Sequence, residues 1–158
     1  MPVLWDDRSP ARLGTSEQAE GMAKMWMTIA AIAVAGTIGA FTDWLFMGVL
    51  FHAAYNRFPE VWWPGVREGK ETAPIIWASL LGYVITTAVV LLCVLTRVHS
   101  IAGGLFVGFV AWLAGPPIVI VVNGMFIKID PKITAAHCAG YLARMLLAGA
   151  AAGFVLAA

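Results

Sequence analysis

Two residues of opposite charge lie inside apolar sequence, where charge is expensive. Asp43 falls near the middle of the run Lys24–Tyr55, and Arg144 falls in the last apolar run, 135–157. An ionised side chain at the centre of a bilayer costs about 2.5–3.5 kcal/mol on insertion scales, so it needs a partner or a purpose. The chemistry open to such residues is limited. They can neutralise each other as a register-fixing ion pair, line a ligand site, exchange a proton during transport, or serve as acid and base on a lipid-soluble substrate.

The elements that must position them are apolar helices. The chain has 158 residues, is 61% hydrophobic and only 12% charged, with mean hydropathy +0.84. A soluble domain carries about twice that charged fraction. Hydrophobic runs fall at about 24–51, 74–95, 101–127 and 135–157, each near the roughly 20 residues that span a hydrocarbon core. The expected fold is all-α: a single polytopic membrane domain over 1–158, an antiparallel four-helix transmembrane bundle. Partners then begin with the lipid bilayer. The net charge of +1 gives no electrostatic case for nucleic acid.

Depth brings the polar groups together. In four antiparallel spans the end of span one, the start of two, the end of three and the start of four share one side. At about 1.5 Å per residue, Asp43, Tyr83, Asn123 and Arg144 then fall in one layer, about 7–14 Å in from that side. Faces agree as well. His137, Tyr141, Arg144 and Ala148 make one stripe on span four; Ser79, Tyr83, Thr86 and Thr87 make one on span two; Gly36, Gly39 and Asp43 make one on span one. The expected site is an Asp43–Arg144 ion pair with Asn123, Tyr83 and Tyr141 as hydrogen-bond neighbours and His137 at its mouth. This cluster either holds a ligand or only fixes helix order.

Residues 1–23 are polar and of mixed charge, and are expected to form a surface tail pinned by Trp5 rather than a signal peptide. Thr15-Ser16-Glu17-Gln18 would cap the first helix. The connection 52–73 carries Trp62-Trp63-Pro64-Gly65, a group suited to the headgroup zone. It is expected to fold as an interfacial cap, with Phe58, Val61 and Trp62 on a short helix. Pro74 suits the first turn of span two, and the short link through His99-Ser100 forces a hairpin. Span three opens with Gly104 and Gly108, a face that admits a close helix partner. It then meets Gly115-Pro116-Pro117, which must kink it. Arg8, Arg12, Lys24 and Arg97 on one side balance Arg57, Arg67, Lys70, Lys128 and Lys132 on the other, so orientation is not set.

Other signals are weaker. Cys93 and Cys138 fall near opposite faces and are read as free thiols. No cofactor or metal is expected. A bis-histidine haem is the alternative, and only His52 and His137 share a side for it. His52 lies nine residues after Asp43, half a turn out of phase on a continuous α-helix. The sequence contains no GxSxG, HExxH, CxxC or P-loop pattern.

Gly108–Trp112, the Gly115-Pro116-Pro117 break, Asn123-Gly124-Met125-Phe126 and His137-x-x-Gly140-Tyr141 together resemble a family of small bacterial four-helix membrane proteins, domain of unknown function 1761. Ala40–Phe51, followed by a Trp-bearing connection, is similar in layout. The resemblance covers about Ala31–Leu156. It implies four spans and a bacterial inner membrane, and no activity. Asp43 and Arg144 are not part of its pattern.

The leading expectation is therefore a small integral membrane protein with a polar intramembrane pocket. It would bind a small amphipathic or lipid-like molecule, or pack as a subunit of a larger membrane assembly. Gly104, Gly108 and the small residues of Ala148–Gly153 offer helix-packing faces, from which a homo-oligomer or membrane-complex partner is expected. A proton-coupled transporter using Asp43 is one alternative, weakened by an arginine at the same depth. An enzyme on a lipid-soluble substrate, with Asp43, His137 or Tyr141 as acid–base groups, is another.

Overall fold

The structure is a computed structural model that describes residues 10–55 and 57–157. Among the described residues the regular structure is helical throughout. Helix α1 runs Pro10–Asp43 and passes without a break into a π-helix, Trp44–Leu50. Short turns follow: α2 (His52–Tyr55), a 3-10 turn (Pro59–Val61) and α3 (Pro64–Arg67). Then come α4 (Thr72–Leu95), α5 (Ile101–Ala114), α6 (Pro116–Phe126) and α7 (Pro131–Ala157).

Four helical stretches are long and apolar enough to cross a membrane: Ser16–Leu50, Thr72–Leu95, Ile101–Phe126 and Pro131–Ala157. Their outward faces are apolar, as Trp77, Leu80, Leu81 and Val84 on α4 and Phe106 and Val110 on α5 illustrate. Such a surface suits lipid and not water.

The first helix begins before the residues expected to cap it. Residues 10–23 continue α1 and form no separate tail, and Thr15–Gln18 lie inside the helix. Trp5 lies outside the described residues. The connection 52–73 does fold, but Phe58, Val61 and Trp62 are carried on a 3-10 turn and its flanks rather than on an α-helix. It is tied to the α6–α7 turn by Arg57–Asp130 at 2.9 Å and Lys128–Glu60 at 2.7 Å. Lys128 Nζ also lies 4.4 Å from the centre of the Phe58 ring.

Helix α7 packs against α1, α4, α5 and α6. Its sequence explains how one helix meets so many. Ile133, Ala136, Gly140, Arg144, Ala148 and Ala152 form one buried stripe, and Met145, Gly149 and Gly153 form a second beside it. The second stripe meets Gly104 and Gly108 of α5 so closely that a methyl on Gly104 would strike the Gly149 carbonyl, and one on Gly108 that of Met145. The small-residue faces expected to recruit another chain are thus spent on each other. Both edges of this contact are filled by larger groups. Val90, Cys93, Val98 and Ala152 cluster at one end, and Val89, Met145 and Ala148 pack nearer the middle.

Two local sequence effects set the helix ends. Arg97 takes the left-handed conformation (φ 53) after α4, while the Val98 N–H donates to the Cys93 carbonyl at 3.0 Å and the Arg97 N–H to that of Val94 at 3.1 Å. This is a Schellman termination. Ser100 then caps α5 by accepting from the Gly103 N–H. At Gly115 (φ −134, ψ −84) α5 stops, and α6 restarts on Pro116 and Pro117, where a missing N–H is harmless.

Candidate functional site

The site is built where α1, α4 and α7 meet. On α1 the buried positions Ala31, Ala35 and Gly39 recur every four residues and lead to Asp43. On α4 Gly82 is buried, and on α7 Arg144 has no exposed side-chain surface. The guanidinium lies in a slot between two glycines. A methyl on Gly82 would overlap it, and one on Gly39 would come within 3.1 Å. Only residues without a Cβ let the two neighbouring helices close over so large a group.

Arg144 Nη2 donates to Asp43 Oδ2 at 2.6 Å. Its Nε and Nη1 have no acceptor among the described residues. The pair is lopsided: the Arg144 side chain is 0% exposed, whereas that of Asp43 is 36% exposed. The carboxylate faces a cavity of about 580 Å³, a volume typical of small-molecule sites.

That cavity runs from the connection 52–73 down to the ion pair. Asp43, Arg144 and Ser79 are at its deep end; Trp44, Met47 and Ile75 form its sides; His52, Tyr55, Trp62 and Glu71 are at its outer end. From Glu71 to Ser79 is about 12 Å along α4. The Tyr55 and Trp62 rings are 5.3 Å apart, and the Trp62 indole N–H donates to the Tyr55 carbonyl at 2.9 Å. The Tyr55 hydroxyl donates to Met47 Sδ at 2.7 Å and lies 3.0 Å from His137 Nε2. Burial pushes the Tyr55 phenol up to about 12, so it stays protonated across the physiological range.

The expected cluster is therefore regrouped. Asp43 and Arg144 are brought together. His137 reaches the cavity edge only through Tyr55. Tyr83 hydrogen-bonds not to the pair but to Thr37, with 2.7 Å between the hydroxyls, its ring lying against Gly36. Tyr141 is half-buried and makes no side-chain hydrogen bond among the described residues. The buried stripe runs through Gly140 and Arg144, and Tyr141 falls one position to its side. Asn123 is exposed on α6 and likewise unbonded. The hydroxyls of Ser79, Thr86 and Thr87 return to carbonyls four residues back in α4, which leaves none of their protons for the pair.

His52, placed out of phase by a straight-helix count, lines the same cavity as Asp43. The π-helix and the bend at Phe51 after it are the reason. The wider turns of the π-helix advance fewer degrees per residue than α-turns, so the phase between residues 43 and 52 is not that of an α-helix. Met47, within the π-helix, enters the site the same way. Nothing in Trp44–Leu50 distinguishes a π-turn from an α-turn, whereas Glu71 could have been singled out as a carboxylate beside aromatic residues.

Cys93 is buried and Cys138 half-buried, and both are unbridged. No group of three His, Cys, Asp or Glu residues fit to hold a metal ion occurs among the described residues. Comparison of the chain with protein-family models, with curated proteins and with solved structures returned no match.

Proposed function

We propose that this is a small integral membrane protein whose four spans form an antiparallel bundle, bent at Gly115-Pro116-Pro117, and that its cavity binds a small amphipathic or lipid-like molecule. The observation that carries this reading is the half-exposed Asp43 carboxylate. Arg144 anchors it at the deep end of a cavity whose sides are Trp44, Met47 and Ile75. An ion pair that only fixed helix order would be sealed on both partners. Here one partner is sealed and the other faces open volume. Apolar sides with a few converging polar groups are the usual make-up of a small-molecule site. The α1–α4–α7 packing supplies the rigid frame, and the folded connection 52–73 lines the outer end.

Proton-coupled transport is less well supported, because the carboxylate that would exchange protons is already bonded to a guanidinium. Melting the protein in neutral detergent with a panel of small amphiphiles tests the binding reading. At least one head-group class should raise the melting temperature saturably, since a ligand that binds only the folded state stabilises it. A flat response to cationic, anionic and neutral amphiphiles alike would contradict it.

A further inference from the structure

We infer that the ligand carries a positively charged head, an amine or a substituted ammonium, on an apolar body. This rests on the cavity reading above and names the class of molecule the cavity takes.

The argument begins with which charges an entering molecule can reach. Among the described side chains, three charged ones line the cavity: Asp43, Glu71 and Arg144. Arg144 has no exposed surface, so the charge that the cavity presents at its deep end is that of Asp43 and not of the guanidinium behind it. Both reachable charges among the described side chains are therefore carboxylates. Among the described side chains, the cations nearby are committed elsewhere: Lys70 to Glu68 at 2.9 Å, Lys128 to Glu60 at 2.7 Å and Arg57 to Asp130 at 2.9 Å. Glu71 is exposed and has no ion-pair or hydrogen-bond partner among the described residues. Its side chain does not cap α4 either.

Hydrogen-bond roles point the same way. The Ser79 hydroxyl gives its proton to the Ile75 carbonyl, and the Trp62 N–H goes to the Tyr55 carbonyl. The Tyr55 hydroxyl is engaged by Met47 and His137. The Ser79 oxygen is left to accept, as are both carboxylates. A head rich in N–H donors matches that set, and one rich in acceptors does not.

Aromatic faces add a third, independent feature. The tilted Tyr55–Trp62 pair stands at the same outer end as Glu71, and Trp44 lines the side. A cation beside a carboxylate and over aromatic rings gains from both. The head is thus placed at the Glu71 end, near the connection. The apolar body extends along Met47 and Ile75, short of the Asp43 carboxylate.

Three probes with one chain and different heads separate the possibilities: n-decylammonium, decanoate and decanol. Calorimetric titration into nanodiscs of neutral lipid at pH 8, with empty nanodiscs subtracted, reads each affinity. The cation should bind about tenfold more tightly than the anion, on charge complementarity. Glu71→Gln should weaken decylammonium about fivefold, in line with a partly solvated ion pair, and leave decanol unchanged. Ala78→Trp, which fills the cavity, should abolish all specific binding. Equal affinities for the three heads, lost together in Ala78→Trp, would overturn the cationic head and leave the pocket standing. Decanoate binding as tightly as decylammonium or more so, or no effect of Glu71→Gln, would also overturn it. Absence of binding by all three would overturn the cationic head and the pocket together.

Discussion

Arg144 and Asp43 are bonded at 2.6 Å, yet they live in different surroundings. The guanidinium is wholly enclosed by Gly39, Gly82 and α7, and more than a third of the carboxylate side chain is open to a cavity. This asymmetry makes the two halves of the pair unequal under mutation. Asp43→Asn leaves a sealed cation without a counter-charge, and should cost about 3–5 kcal/mol. Arg144→Gln leaves a carboxylate that still reaches the cavity, and should cost less. The double mutant should recover part of the Asp43→Asn loss. Thermal melts of the three variants in detergent check this; strictly additive losses would show that the pair is not coupled.

Glycine positions divide by what a methyl would meet. At Gly104 it would meet the Gly149 backbone, which cannot move without separating α5 from α7. Gly104→Ala should therefore destabilise by about 1–3 kcal/mol. Gly21, on exposed α1 with nothing within 4 Å, should instead gain helix propensity on Gly21→Ala, up to about 1 kcal/mol. Opposite shifts in melting temperature are expected. A loss at Gly21 or a gain at Gly104 would contradict the packing.

Arg97 occupies a left-handed position that favours glycine. Arg97→Gly should stabilise the protein by about 1 kcal/mol, because a side chain bearing a Cβ is strained there. The same substitution should leave amphiphile binding unchanged, since the α4–α5 link is remote from the cavity. A drop in stability would mean that the Arg97 side chain makes a contact worth more than the strain.

Asp130 gives the protein an acid-sensitive tie. The Lys132 backbone N–H, and next the Arg57 side chain, hold its carboxyl below the ordinary value of 3.8. A lowered folded-state pKa means that the unfolded chain binds protons first. The stabilisation is therefore complete above that ordinary value and is lost as pH falls below it, through the folded-state value. Asp130→Asn should lower the melting temperature at pH 7, and the gap from the native protein should narrow as the buffer is taken below the ordinary value of 3.8. A gap that is constant with pH would contradict this linkage.

What the sequence made legible follows from which physical terms act locally. The spans were readable because the length and hydropathy of each stretch are sums over its own residues. The Asp43–Arg144 contact was readable because an intramembrane charge restricts its partners to groups of the same depth. Asn123 and Tyr141 were misplaced because depth does not give rotation. On helices apolar all round, the face turned inward is set by small residues such as Gly140 and Gly149, whose role appears only once a partner helix is in place. His52 and Met47 were missed as site residues because the π-helix and the bend at Phe51 change the phase that an α-helical count assumes. The close α5–α7 contact had both its halves in view, Gly104 with Gly108 and the small residues Ala148–Gly153. That they face each other rather than a second chain is a fact of three-dimensional packing.

The central claim, that the cavity above Asp43 and Arg144 holds a small molecule, is tested most directly by native mass spectrometry. Gently extracted native protein would be compared with Ala78→Trp, in which an indole occupies the cavity. The account predicts a low-mass adduct on each native protomer that Ala78→Trp lacks. Bare protomers in both, or the same adduct retained in Ala78→Trp, would contradict it.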